Sequence, residues 1–480
     1  MPATAARTDG GSWLDASAAA RLERRLEAGL RRARAAGTPT LVSITAAVDR
    51  ATDPSAVVAA SRRLGEPWFC FEQPDRDRAA VAALGQVRVL QASGAERFAQ
   101  VAAGWRSLLS GALADDPAGP GGSGLVALGG FAFAPDGGAS RRWHGFAPAS
   151  LVLPEVSLAR RGHETWLTVN VDLAPDDTAA DALGRVQRRL AELRTRVLPL
   201  LDPDPVGAYE VVSPMPPSHY EEAVARAVQR IRTGEFEKVV LAREVEVHAP
   251  RPHDPAAVFG LLREAFPSSF IYAVGRGEAT FIGATPELLI RREGQRASTV
   301  ALAGSARRSA DPAVDDHLGE QLLHSDKDRE ENAIVARRIA RTLRPHAVWV
   351  TTSPEPVLVR VANIQHLAAP IRAQLASPIG AIELAGLLHP TPAVGAEPAA
   401  AALDLIPALE GFDRGWYAGP VGWTDAAGDG EFCVALRCAL LRAGVATCYA
   451  GCGIVRDSDP AAELAESEIK LQVMLPALAG

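Results

Sequence analysis

Between residues 269 and 308 the chain reads "SFIYAVGRGEATFIGATPELLIRREGQRASTVALAGSARR", a series of apolar, strand-like stretches separated by very short turns. These runs are hairpin-like. A second run, "VGWTDAAGDGEFCVALRCALLRAGVATCYAGCGIV" over 421–455, reads as an antiparallel meander turning at 428–430 and 443–444. Helical patterns surround these runs. One helix is expected to start near Ser218, capped by Ser218 with Glu221 or Glu222. A long charged helix is expected over 315–343, and a last one from Pro460 with Asp459 as its cap. Strand-like "TLVSITAAV", "PWFCFEQ" and "GLVALGGFAFAP" precede a hairpin over 149–173 that turns at Arg161 and Gly162. A helical stretch over 177–198 follows. The pattern is α+β, with large antiparallel sheets covered by helices. The proline-rich stretch 201–218 reads as the crossing between an N-terminal α/β half, 13–205, and a second half, 206–480.

The chain has 480 residues and a net charge of −7, which argues against general nucleic-acid binding. An anionic ligand would therefore need positive charge supplied locally, by a few arginines or a metal ion. Five cysteines are too few and too unevenly placed for a disulfide scaffold, so a cytoplasmic setting is expected. Cys433 and Cys438 fall at odd separation in one strand-like run, which opposes a zinc site and favours buried free thiols. No apolar run is long enough to span a membrane, and the N-terminus lacks the apolar core of a secretory signal. Leu22, Leu26 and Leu30 lie four apart, as on an amphipathic helix.

Several residues fit their surroundings poorly. In "EFEKVVLARE", Lys238 shares a strand face with Phe236, Val240 and Ala242. It is either an edge-strand lysine reaching for water or a buried amine whose charge is disfavoured. Glu463, Glu466 and Lys470 share one helix face with Val473 and Met474, which suits either a Mg2+ site or a Glu466–Lys470 surface pair. Glu331, in "HSDKDREEN", stands beside the apolar stripe of its helix and could equally belong to a solvated acidic turn. Ser325 and Asp328 resemble a capping box that opens a fresh helix there. Glu287, after a proline in "GATPELL", is either a general acid with a raised pKa or a solvated carboxylate. His366 and His389 are core histidines or catalysts. "AGCGIV" lacks the third glycine of a dinucleotide fingerprint, yet its two glycines could offer N–H groups to an anion.

In order along the chain, "EKVVLAR", "GATPELL", "ALAGSARR", "HSDKDREEN", "NIQHLAAP", "LHPTPAVG", "VALRCALL", "GCGIV" and E-x-x-E-x-x-x-K resemble the chorismate-utilising enzymes over about residues 213–478. The first half, with "EQPDRDRAAVAALG" and "ALGGFAFAP", is similar to isochorismate synthases of the menaquinone-pathway type. The resemblance implies a Mg2+-dependent enzyme built on two large antiparallel sheets packed together with flanking helices. Glu331 and Glu466 resemble its metal carboxylates, supported by Glu463 and Lys470. Lys238 matches the base that activates water, and Glu287 the acid that protonates the departing C4 hydroxyl. Arg437 matches the arginine for the enolpyruvyl carboxylate, with Gly451 and Gly453 as backbone donors. His366, Ala303, Gly304 and Tyr417 would line the substrate.

Lysine at 238 disfavours the ammonia-using relatives, which carry glutamine there, and alanine at 303 disfavours the aminodeoxychorismate type, which carries lysine. Water addition to chorismate, giving isochorismate, is the expected reaction, with menaquinone supply favoured. Salicylate formation with pyruvate loss, or supply of a catechol siderophore, is the alternative. A non-catalytic chorismate-binding subunit is disfavoured by the intact Lys238, Glu287, Glu331 and Glu466. A monomer without an amidotransferase subunit is expected. Three departures stand out: Glu330-Glu331-Asn332 where many relatives have His-Glu-His, Cys452 where "GAGIV" has alanine, and Ala396 where glycine is common.

Overall fold

The computed structural model describes residues 12–479 except 117, 203–206 and 362–363. The boundary expected between 205 and 206, the residues preceding Ser12, and the first residue of the "NIQHLAAP" motif lie outside the described residues.

Two antiparallel sheets form the frame, of 12 and 10 strands among the described residues. The larger sheet runs from Thr40–Ala47 at one edge, through the hairpin Val156–Arg161 and Glu164–Leu173, to Lys238–His248 near the other. The smaller one includes Arg296–Arg307, Leu288–Glu293, Gly430–Val434 and Pro420–Asp425. With Val126–Phe131 and Ala149–Leu153 also in the smaller sheet, both sheets draw strands from the first and the second half of the chain. One continuous apolar cluster, including Phe71, Phe131, Phe281, Ile290 and Phe432, contains residues from both sheets. A second cluster joins the larger sheet to helices. There Leu22, Leu26 and Leu30 of the helix Ala16–Ala36 pack with Val42, Ile44 and Leu173, as the four-residue spacing predicts. Strands buried on both faces explain why so many read as continuous apolar runs.

The hairpin turn after Arg161 is present, with Gly162 at φ +59°, but the hairpin starts at Val156, and Ala149–Leu153, expected within it, pairs in the smaller sheet. The last helix, Pro460–Leu471, is capped by Asp459. Four other expectations change. The helix near Ser218 is Pro217–Arg232, begun by proline at its first turn, and no side chain caps it. The helix expected over 177–198 stops at Ala191. The helix expected over 315–343 is two, Pro312–His324 and Asp326–Leu343, broken where Ser325 accepts from the Asp328 N–H. The meander is not one sheet: Gly430–Val434 pairs in the smaller sheet and Cys438–Arg442 in the larger, so the chain crosses between them. Cys433 and Cys438 thus sit on different sheets rather than on opposite faces of one strand. All five cysteines are buried and free. Among the described residues no helix is long and apolar enough to cross a membrane.

Candidate active site

Of the places where the chain crosses between the sheets, two are neighbours. Glu287 lies between Ala279–Thr285 of the larger sheet and Leu288–Glu293 of the smaller, and Arg437 lies on the crossing just described. The crossings are tied together: the Val434 N–H donates to the Glu287 carbonyl at 3.0 Å, and the Ala284 N–H to the Arg437 carbonyl at 3.1 Å. Arg437 takes a left-handed φ of +49°, an uncommon conformation for a side-chain-bearing residue and one that recurs at functional sites. Both side chains face one cleft. Its other walls come from the strands carrying Ala303, Gly304 and His366, the strand carrying Gly451 and Gly453, and Tyr417. Helices Asp326–Leu343 and Pro460–Leu471 add Glu331, Glu463, Glu466 and Lys470.

Lys238 opens its strand and is fully buried, covered along its free edge by the two-residue strand Ala396–Glu397. The edge-lysine alternative is thereby overturned. Its Nζ stands 2.8 Å from Glu331 Oε1 and makes no hydrogen bond among the described residues. The space for this pair exists because residue 453 has no side chain: a Cβ there would lie 2.3 Å from Glu331 Oε1 and 2.8 Å from Lys238 Cε. Glu331 is therefore not a solvated acid. Nor is Glu466–Lys470 a surface pair, since Lys470 is buried and donates to Glu466 at 2.7 Å and to the Gly451 carbonyl at 2.8 Å.

Gly304 has φ +78° at a bulge between Ala303 and Ser305, a conformation suited to glycine. The bulge aims the Ser305 hydroxyl at Glu466, at 2.6 Å. His366 Nδ1 lies 3.3 Å from the Gly304 carbonyl, and Arg437 Nη2 lies 3.2 Å from His366 Nε2. An arginine only donates, so Nε2 accepts and Nδ1 carries the proton. Burial, with Arg437 and Lys470 nearby, lowers His366 to about 3, so the ring stays neutral and orients the guanidinium. Arg437 has no carboxylate within ion-pair distance among the described residues and is left as a buried cation free to meet an anion.

The acids divide by environment. Burial pushes Glu287 up to about 7 against the pull of Lys238, Arg437 and Lys470, so it is not the solvated carboxylate of the alternative reading. Burial also opposes the charge of Glu466, yet Lys470 and Ser305 hold it down to about 2. Glu463 is raised by burial and by Glu466, while Lys327 draws close to it at 3.2 Å. Ligand atoms of Glu463, Glu466 and Cys452 lie within 4.8 Å of one another. Burial pushes the Cys452 thiol up to about 12, and the oxygens that remain suit a hard cation such as Mg2+. His389 stands outside the cleft, half-buried with Nε2 2.9 Å from the Phe133 carbonyl, as a structural histidine.

Residues matching the family described as "Chorismate binding enzyme" run from 28 to 479. The chain belongs to this family. A Pseudomonas aeruginosa protein named "Salicylate biosynthesis isochorismate synthase" is 38% identical, over 94% of this chain and 93% of its own. "Isochorismate synthase MenF" of Bacillus subtilis is 32% identical over 86% of this chain and 88% of its own. The solved structure of MenF, described as the menaquinone-specific isochorismate synthase from Escherichia coli, superposes with a TM-score of 0.73 at 25% identity. It covers 96% of this chain and 100% of that one. This chorismate-binding enzyme is thus of the isochorismate synthase type.

Sequence reasoning missed Ser305, Lys327, Asp328 and Tyr449, all on the cleft wall. Signals for them exist. Lys327 precedes Glu331 by four residues, one helical turn, and Tyr449 precedes Gly451 by two, the repeat of one strand face.

Proposed function

We propose that this enzyme converts chorismate to isochorismate with Mg2+, adding water at C2 as hydroxide leaves C4. The observation that carries the reading is a buried carboxyl, Glu287, on one cleft with the unpaired Arg437 and with Glu331, which the fully buried Lys238 meets from behind the wall at 2.8 Å. Lys238, whose Nζ makes no hydrogen bond among the described residues, takes a proton from the attacking water when it is in its neutral form. Glu287 stands near neutrality and returns a proton to the C4 oxygen, so the departing group leaves as water and the balance closes. Arg437, held by neutral His366, pairs with the enolpyruvyl carboxylate.

Glu331, Glu463 and Glu466 would hold Mg2+, whose charge would offset the ring carboxylate in a cleft already lined by acids. Alanine at 303 leaves no amine to attack the ring at that position. The likeness of the first half to the menaquinone-pathway type is matched by an equally long likeness to the protein named for salicylate biosynthesis. Formation of isochorismate is common to both, and the enzyme that next consumes it sets the pathway.

The test is incubation of purified protein with chorismate and Mg2+, followed by chromatographic separation of products. Isochorismate is expected. Salicylate with equimolar pyruvate, or no turnover, overturns the reading.

A further inference from the structure

The strand Lys238–His248 is bonded along one side to Val445–Ile454. Its other side is only partly covered: Ala396–Glu397 pairs with Lys238 and Val239, and Glu210–Val212 with Glu246–His248. In the gap the Val240 N–H donates to the Gly395 carbonyl at 2.7 Å. The groups that follow are met by two side chains. Arg414 Nη2 donates to the Val240 carbonyl at 2.9 Å, and Glu410 Oε1 accepts from the Ala242 N–H at 2.6 Å.

Arg414 also donates through Nη1 to the Val394 carbonyl at 2.8 Å and through Nε to Glu410 Oε2 at 2.9 Å. Its guanidinium carbon lies 4.3 Å from the Phe133 ring centre and 5.6 Å from that of Tyr417. The pair is almost completely buried, with side chains 3% and 0% exposed. Val240, Val394 and Tyr417 all line the cleft.

A buried ion pair is weak evidence for stability, because desolvating both charges offsets their attraction. It also adds no net charge for an anionic substrate, unlike the unpaired Arg437. What it does is fix three walls of the cleft relative to one another. We propose that Glu410 and Arg414 are positioning residues, a side-chain substitute for a missing stretch of strand, which hold the Lys238 strand in register with loop 391–395 and Tyr417. The inference rests on the isochorismate reading for its rate measurement.

The test is steady-state turnover of chorismate with Mg2+ by wild type, Arg414→Lys and Glu410→Gln, well below each melting temperature. Lysine keeps the charge but cannot reach both carbonyls, while glutamine keeps the shape of Glu410 and its bond from Ala242. Displacement of reacting groups by an ångström costs on the order of a hundredfold, so kcat is expected to fall roughly tenfold to a hundredfold. KM and the rise in Tm on adding Mg2+ are expected to stay near wild type, since Arg437 and the acidic residues are untouched. Wild-type kcat with only a lower Tm would make the pair merely structural and overturn the proposal. So would joint loss of kcat, substrate affinity and Mg2+ response, or recovery of both variants only as unfolded protein. A wild type that makes no isochorismate removes the functional reading itself, an outcome distinct from active wild type with unaffected variants.

Discussion

Replacing Glu287 with glutamine should move stability and activity in opposite directions. The carboxyl is buried, and its pKa lies at about 7 rather than 4.5 because burial outweighs the pull of Lys238, Arg437 and Lys470. Between those values the folded protein holds a proton that the unfolded chain has released, so stability falls as pH rises. The group's stabilising contribution is complete below 4.5 and lost through about 7. At about 1.4 kcal/mol per pH unit, that interval corresponds to about 3 kcal/mol. Glutamine keeps the volume and cannot ionise. Urea unfolding followed by tryptophan fluorescence at pH 4.5 and pH 8 should therefore show Glu287→Gln gaining about 3 kcal/mol relative to wild type across that range. Its kcat should fall by about 10²–10⁴, the usual worth of a general acid. Parallel pH–stability curves for the two proteins would refute the buried-acid argument, and undiminished kcat would refute the catalytic one.

Lys238→Gln should abolish water addition while leaving the far-ultraviolet circular dichroism of wild type; retained isochorismate formation would remove the lysine from the mechanism. Glu466→Ala should lose the thermal stabilisation that Mg2+ confers, worth about 2.7 kcal/mol at a hundred times Kd, and an unchanged shift would contradict the metal assignment. Gly453→Ala should lower kcat by at least roughly tenfold without unfolding the protein, because its Cβ would meet Glu331 and Lys238 rather than backbone. Wild-type kcat in that variant would show that the Lys238–Glu331 contact is not needed in the form observed.

How far the site could be read from the sequence depends on whether its cause is local. Lys238 announced itself because a charged residue interrupts an apolar strand face, and Asp459 with Pro460 marked a helix start that the structure keeps. Nothing in "GEFCVALRCALL" marks the crossing between sheets, because apolar residues continue through it and the positive φ of Arg437 has no signature in the residue type. The pairings of Lys238 with Glu331 and of Lys327 with Glu463 were equally hidden, since each joins elements far apart in the chain. Two of the crossings nonetheless bring Glu287 and Arg437 to the cleft, and there is a physical reason. In a ladder, backbone groups are committed to neighbouring strands and side chains must point to one face or the other. Where the chain leaves one sheet for the next, that alternation lapses, and Glu287 and Arg437 can face the cleft from between the ends of their strands. Tying the two crossings to each other, through Glu287 with Val434 and Arg437 with Ala284, then fixes acid and arginine as one unit. The carboxyl and the guanidinium are thus placed by backbone bonds rather than by an ion pair with each other.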